Sequence, residues 1–88
     1  MISSGPSPFR DRTAVTLDIG TAGPVTLQVY DVNGPLVRAL ADGWRSAGQH
    51  TIAWDGMNDD GRSVVPGLYF PRMHASDLMS TVRLIHVR

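Results

Sequence analysis

The chain has 88 residues, 42% of them hydrophobic, which is enough for one compact domain with a single core and too little for several. Its eight basic residues are all arginine and its eight acidic ones all aspartate, so formal charge is balanced and neither nucleic acid nor an anionic membrane is favoured. The absence of cysteine excludes disulfides and thiolate metal sites without fixing the compartment, and no apolar run reaches membrane-spanning length, so membrane insertion is not expected.

Residues 1–8, MISSGPSP, are small, polar and broken by two prolines, the composition of a flexible N-terminal segment or linker ahead of a folded domain over 9–88. They carry no signal peptide, so an exported form of the domain would have its address elsewhere. From Thr13 to Ile19, Val15, Leu17 and Ile19 alternate with Ala14, Thr16 and Asp18, the period of a half-buried strand. Val25, Leu27 and Val29 repeat the pattern against Thr26, Gln28 and Tyr30. Asn33-Gly34 then predicts a two-residue hairpin into a strand over Leu36–Leu40. A loop over Ala41–Gly48 holds Trp44, and His50, Ile52 and Trp54 form the next inward face. Lacking Lys and Glu, two good helix formers, the chain reads as all-β.

Asp55-Gly56 and Asn58-Asp59-Asp60-Gly61 are turn signals, because Asx side chains bond their own backbone and tolerate left-handed conformations. The next strand, Leu68–His74, places Tyr69, Pro71 and Met73 on one face, and Pro71 argues for a sheet edge or a bulge. The last run, Ser80–Val87, is strand-like on both faces, so neither parity is marked as buried.

Several side-chain groups are weighed for chemistry. Asp55, Asn58, Asp59 and Asp60 offer oxygen ligands to calcium, but without EF-hand spacing or a closing Glu, so turn capping is the stronger reading and no cofactor is expected. His50, His74 and His86 fall on three strands with no carboxylate at a diagnostic spacing, which suits edge or surface histidines better than zinc. Trp54 and Tyr69 read as core anchors ahead of a sugar-binding platform. With Val15, Leu17, Val25, Leu27, Val29 and Ile52 they make up the predicted core. Trp44 beside Arg45 in a loop is the better contact candidate, although packing within the loop is the stronger reading. Unpaired edges offer a second route to protein partners, through the first alternating strand, where Thr16 points outward, or the terminal strand over 81–87, which carries Arg83. No G-x-S-x-G or comparable constellation is present, so an enzyme is not expected.

The order Pro8-Phe9, VTLQVYDVNGPLVRAL (25–40), AGQHTIAWDGMNDDGRSVVPGLYFPRM (47–73) and a closing strand to Arg88 resembles the Ig-like domain of the flagellar hook-capping protein family. It is equally similar to relatives at the C-termini of secreted bacterial proteins, including the sorting domains of type IX secretion. The most specific pieces are Val29, Tyr30, Asp31 and Gly34, then Trp54-Asp55-Gly56, Asp60-Gly61-Arg62 and Gly67-Leu68-Tyr69. Pro35, Pro71 and His86 depart from the family pattern, and the basic residues of its terminal strand are represented by Arg83 and Arg88.

The resemblance implies an Ig/fibronectin-III-like antiparallel β-sandwich of about seven strands. It further implies a non-catalytic module, extracellular or at the cell surface, serving as the C-terminal export, surface-attachment or assembly domain of a larger secreted bacterial protein. Two alternatives stand beside it: an independent structural subunit that self-assembles or decorates a flagellar, surface or phage-like assembly, and a carbohydrate-binding or adhesion module. Protein partners through edges or loops fit the first two, and a homo-oligomer is compatible with both.

Overall fold

The computed structural model describes residues 2–76 and 78–87. Met1, Asp77 and Arg88 lie outside the described residues, including the basic residue that the resemblance places at the chain's end. Eight strands are found among the described residues: β1 (Ile2–Gly5), β2 (Thr13–Ile19), β3 (Gly23–Asp31), β4 (Leu36–Arg45), β5 (Gly48–Trp54), β6 (Gly67–Ala75), β7 (Leu78–Thr81) and β8 (Leu84–His86). They form two antiparallel sheets, β1-β2-β5 and β4-β3-β6-β7, with β8 also paired to β6. One apolar cluster joins the sheets into a sandwich.

Alternation in the sequence becomes burial in the sheets. Val15, Leu17, Val25, Leu27, Val29 and Trp54 are buried completely or within 1%, and Tyr69 is 3% exposed. Ile52 is only partly buried, because β5 is the last strand of its sheet and the cluster covers it from one side. Phe9, Met73 and Leu84 complete the interior.

Five features differ from the sequence expectations. Residues 2–5 are not a free linker but β1, laid along β2 with Ile2 opposite Leu17; Ile2 supplies the apolar anchor and is buried. The segment 6–12 then crosses over the end of the sandwich, where Thr13 Oγ1 donates to the Pro6 carbonyl (2.8 Å). The Asn33-Gly34 connection spans 32–35 rather than two residues. Asp31 Oδ1 accepts from Asn33 N (2.8 Å), Gly34 N donates to Asp31 O (3.1 Å), and of the two only Gly34 takes a positive φ, 105°. Asp in the first position and Gly in the fourth suit a type I turn, whereas a two-residue hairpin would need Asn33 at positive φ as well.

Third, β4 runs on through Arg45, so the predicted loop over Ala41–Gly48 shrinks to Ser46-Ala47. Register shifts between Leu27 and Gln28 and between Val29 and Tyr30 let β4 stay paired past positions where strict alternation fails. Fourth, β6 is an interior strand despite Pro71. The Pro71 carbonyl accepts from Val82 N (3.0 Å), and the N and C=O of a strand residue point the same way. The missing donor therefore faces the break between β7 and β8, where no ladder asks for it. Fifth, that break divides the expected terminal strand, burying Leu84 and leaving Ile85 40% exposed.

Candidate protein-contact surface

Polar and aromatic groups that satisfy one another inside the fold are not available to a partner. At one end of the sandwich the rings of Phe9, Trp54, Tyr69 and His86 pack together, with centroids 5.4 Å apart for Phe9–Trp54, 4.9 Å for Phe9–His86 and 5.5 Å for Trp54–Tyr69. The indole N–H of Trp54 donates to Met57 O (3.0 Å), and the Tyr69 hydroxyl donates to Val65 O four residues upstream, as in a tyrosine corner. Burial first, and then the Asp31 carboxylate, holds the Tyr69 hydroxyl above its ordinary pKa. Neither ring can serve as a sugar platform, since both are buried. His86 belongs to the same end, its ring donating to Arg10 O (2.9 Å).

The acidic loop is likewise turned on the protein itself. Asp55 Oδ1 accepts from Met57 N (3.0 Å), and Asn58 Oδ1 accepts from Asp60 N and Arg62 N (3.0 Å each). Asp59 reaches across to β4: its N–H donates to Val37 O (3.0 Å) and its Oδ1 accepts from Ala39 N (3.1 Å). Arg38 supplies the counter-charge, with Nη1 3.4 Å from Asp55 Oδ1 and 3.1 Å from Met57 O, and Nε 3.8 Å from Asp59 Oδ1. Sequence reasoning missed Arg38, because its partners lie some twenty residues downstream and only the docking of the loop on β4 brings them together. Asp60 bonds only through its backbone N–H in this set and lines a shallow hollow with Asp31, Leu36 and Val65.

The remaining surface holds the contact candidates. Trp44 lies on β4 opposite Pro24, not in a loop, and is 72% exposed, with Arg45 next to it and half-buried. Leu36, Val65, Leu78 and Met79 are exposed apolar side chains on other parts of the molecule. Thr16 is outward but not at an edge: β2 is flanked by β1 and β5, so Thr16 sits between Ser3 and Thr51, and its hydroxyl is 3.3 Å from that of Thr51. The expected use of Thr13–Ile19 as a free edge is therefore corrected. Its neighbours already take both sides, one of them the segment expected to swing free. Arg83 is exposed at the break between β7 and β8.

Comparison with known proteins places this geometry. The family model described as the FlgD Ig-like domain matches residues 7–78. The basal-body rod modification protein FlgD of Salmonella typhimurium is 41% identical over 56 residues, covering 64% of this chain and 24% of that protein. FlgD of Escherichia coli is 38% identical over the same length and shares. The chain thus spans about a quarter of the length of these curated relatives. Among solved structures, FlgD of P. aeruginosa superposes with a TM-score of 0.67 and 27% identity, covering 85% of this chain and 59% of that one. PorZ, an essential bacterial surface component of the type IX secretion system of Porphyromonas gingivalis, shares the fold at a TM-score of 0.68 and 20% identity, covering 99% of this chain and 11% of PorZ.

Proposed function

The chain belongs to the FlgD Ig-like domain family, and on that premise we propose that it works as a non-catalytic assembly module, the export, surface-attachment or assembly domain of a larger secreted bacterial protein. The observation that carries this reading is the asymmetry of coverage. The family match takes in residues 7–78 of this chain, while the aligned stretch covers 24% of the FlgD relatives, and the superposed region 59% of the P. aeruginosa FlgD structure and 11% of PorZ. A unit that recurs as one part of longer proteins is suited to holding other parts in place.

The side chains support the same reading. Asp55, Asn58, Asp59 and Tyr69, the groups best equipped for chemistry, cap backbone or pair with Arg38. Exposed edges and Trp44 are left for macromolecular contact. In the cell of origin, replacing the codons for residues 9–88 by a flexible linker should abolish surface deposition or assembly of the product without abolishing its synthesis. Normal deposition of the deleted form would overturn the proposal.

A further inference from the structure

A sandwich with this strand order has edges at β1 and β5 in one sheet and at β4, β7 and β8 in the other. Edges left bare invite pairing with another chain, and folded proteins blunt them by shortness, proline, charge, bulges or covering segments. Four of the five carry such a device. β1 is 4 residues long and runs into Pro6; β7 is also 4 residues long. The outer side of β8 is taken by Phe9, whose N–H donates to Ile85 O (2.9 Å) and whose carbonyl accepts from Val87 N (2.8 Å). Along β4, two register shifts are followed by Asp42, and Asp59 closes the Val37–Ala39 stretch.

β5 carries none of these. Its 7 residues, Gly48–Trp54, pair with β2 in unbroken register, without proline, aspartate or arginine. Alternate residues point N–H and C=O away from β2. Among the described residues, no backbone bond from a turn or loop reaches β5. Its outer-face side chains, Gln49, Thr51 and Ala53, are exposed and uncharged.

We propose that β5 pairs antiparallel with β5 of a second copy about a two-fold axis at Thr51, joining two three-stranded sheets into one of six. This rests on the assembly-module reading and names its partner and its edge. In that register Thr51 meets Thr51, Gln49 meets Ala53 and His50 meets Ile52, so no like charges stand opposite one another. The chain's formal net charge of +0 removes long-range repulsion between copies, a condition that promotes association. An isologous pair also closes, consuming the bare edge without leaving a growing end.

The purified 88-residue chain, followed by sedimentation velocity from micromolar to millimolar concentration, should show a reversible monomer–dimer equilibrium. Thr51→Lys, which opposes two ammonium groups at the axis and places a gatekeeper on the edge, should raise the dissociation constant by at least about fivefold. Thr51→Val should leave it near the parent value. Melting curves of both variants establish that they are folded. Hydrogen exchange should slow with concentration at alternate β5 amides and not at β7. A chain monomeric throughout the range, a dimer indifferent to Thr51→Lys, or protection confined to β4 or β7 would overturn the proposal. The two readings fail separately, since the dimer is measured on the purified chain and the assembly role on the deleted product in the cell.

Discussion

Replacing Trp54 by alanine tests the packing argument most directly. The side chain is fully buried, with its ring 5.4 Å from Phe9 and 5.5 Å from Tyr69. Truncating a buried Trp to Ala costs about 3–5 kcal/mol. Its indole partner is not orphaned by the change, because Arg38 Nη1 also donates to Met57 O at 3.1 Å, so no unsatisfied-acceptor penalty is added. A domain holds roughly 0.05–0.15 kcal/mol of stability per residue, or about 4–13 kcal/mol for a chain of this length. The substitution therefore removes about a quarter of the total or more. At about 4–8 °C per kcal/mol for a domain of this size, the melting temperature should fall by roughly 10–40 °C. Trp44→Ala is the internal comparison: with its side chain 72% exposed, it should stay within about 0.5 kcal/mol of the parent. Thermal and urea unfolding followed by circular dichroism give both values, with an unchanged urea slope as the check on two-state behaviour. If Trp54→Ala melts within about 4 °C of the parent, or if the two tryptophans cost the same, the aromatic end does not anchor the sandwich.

Three further outcomes follow from the same geometry. Tyr69→Phe should cost about 0.5–1.5 kcal/mol by removing the hydroxyl that Val65 O accepts. Because the folded pKa of Tyr69 lies above its ordinary 10.0, its contribution is complete below that value and is lost as pH rises through the folded pKa; the stability difference between parent and variant, measured by urea titration, should shrink in that alkaline window and nowhere else. Saturating calcium should leave the melting temperature unchanged, since the oxygens of Asp55, Asn58 and Asp59 already serve backbone amides, and a rise of several degrees that disappears in Asp59→Ala would reverse that assignment. Gly56→Ala should cost about 1–2 kcal/mol through its φ of +73°. The new Cβ would sit 3.6 Å from the Phe9 ring, an ordinary contact, so a neutral result in urea titration would mean that the backbone there relaxes freely.

What could be read from the sequence depended on how far each feature is local. Val15, Leu17, Val25, Leu27 and Val29 announce their strands because one face is buried and the other wet, and that contrast is written at spacing two. The same logic fails for Ala41–Arg45. There β4 is bulged and lies at an edge, only Ala41 is buried, and Asp42-Gly43 looks like a turn. Pro71 misled in the opposite direction. A proline is forbidden in an interior strand only where a donor is required, and the gap between β7 and β8 that removes the requirement begins at Val82, well downstream in the chain. Sheet order is the least local property of all. Nothing in Thr13–Ile19 reveals that Ile2–Gly5 folds back on it, and so the strand that looked like the freest edge is the middle of its sheet.

The residues that carry the family resemblance are also those the fold consumes. Val29 is buried, the Tyr30 hydroxyl donates to Gln28 (2.8 Å), Asp31 caps its turn and Gly34 takes the positive φ there. Trp54, Asp55 and Gly56 build the aromatic end and its cap, and Tyr69 closes the corner above them. A motif made of such residues transmits the sandwich faithfully while saying nothing about what the sandwich touches. The side chains left facing solvent include Gln49, Thr51 and Ala53 on β5, Trp44 on β4, and the exposed Leu36, Val65, Leu78 and Met79. None of these side chains belongs to the buried core, so replacing one of them should leave the sandwich folded. A partner contact made through such residues would be lost on their substitution without loss of the fold, whereas changes at Trp54 or Tyr69 would remove both together.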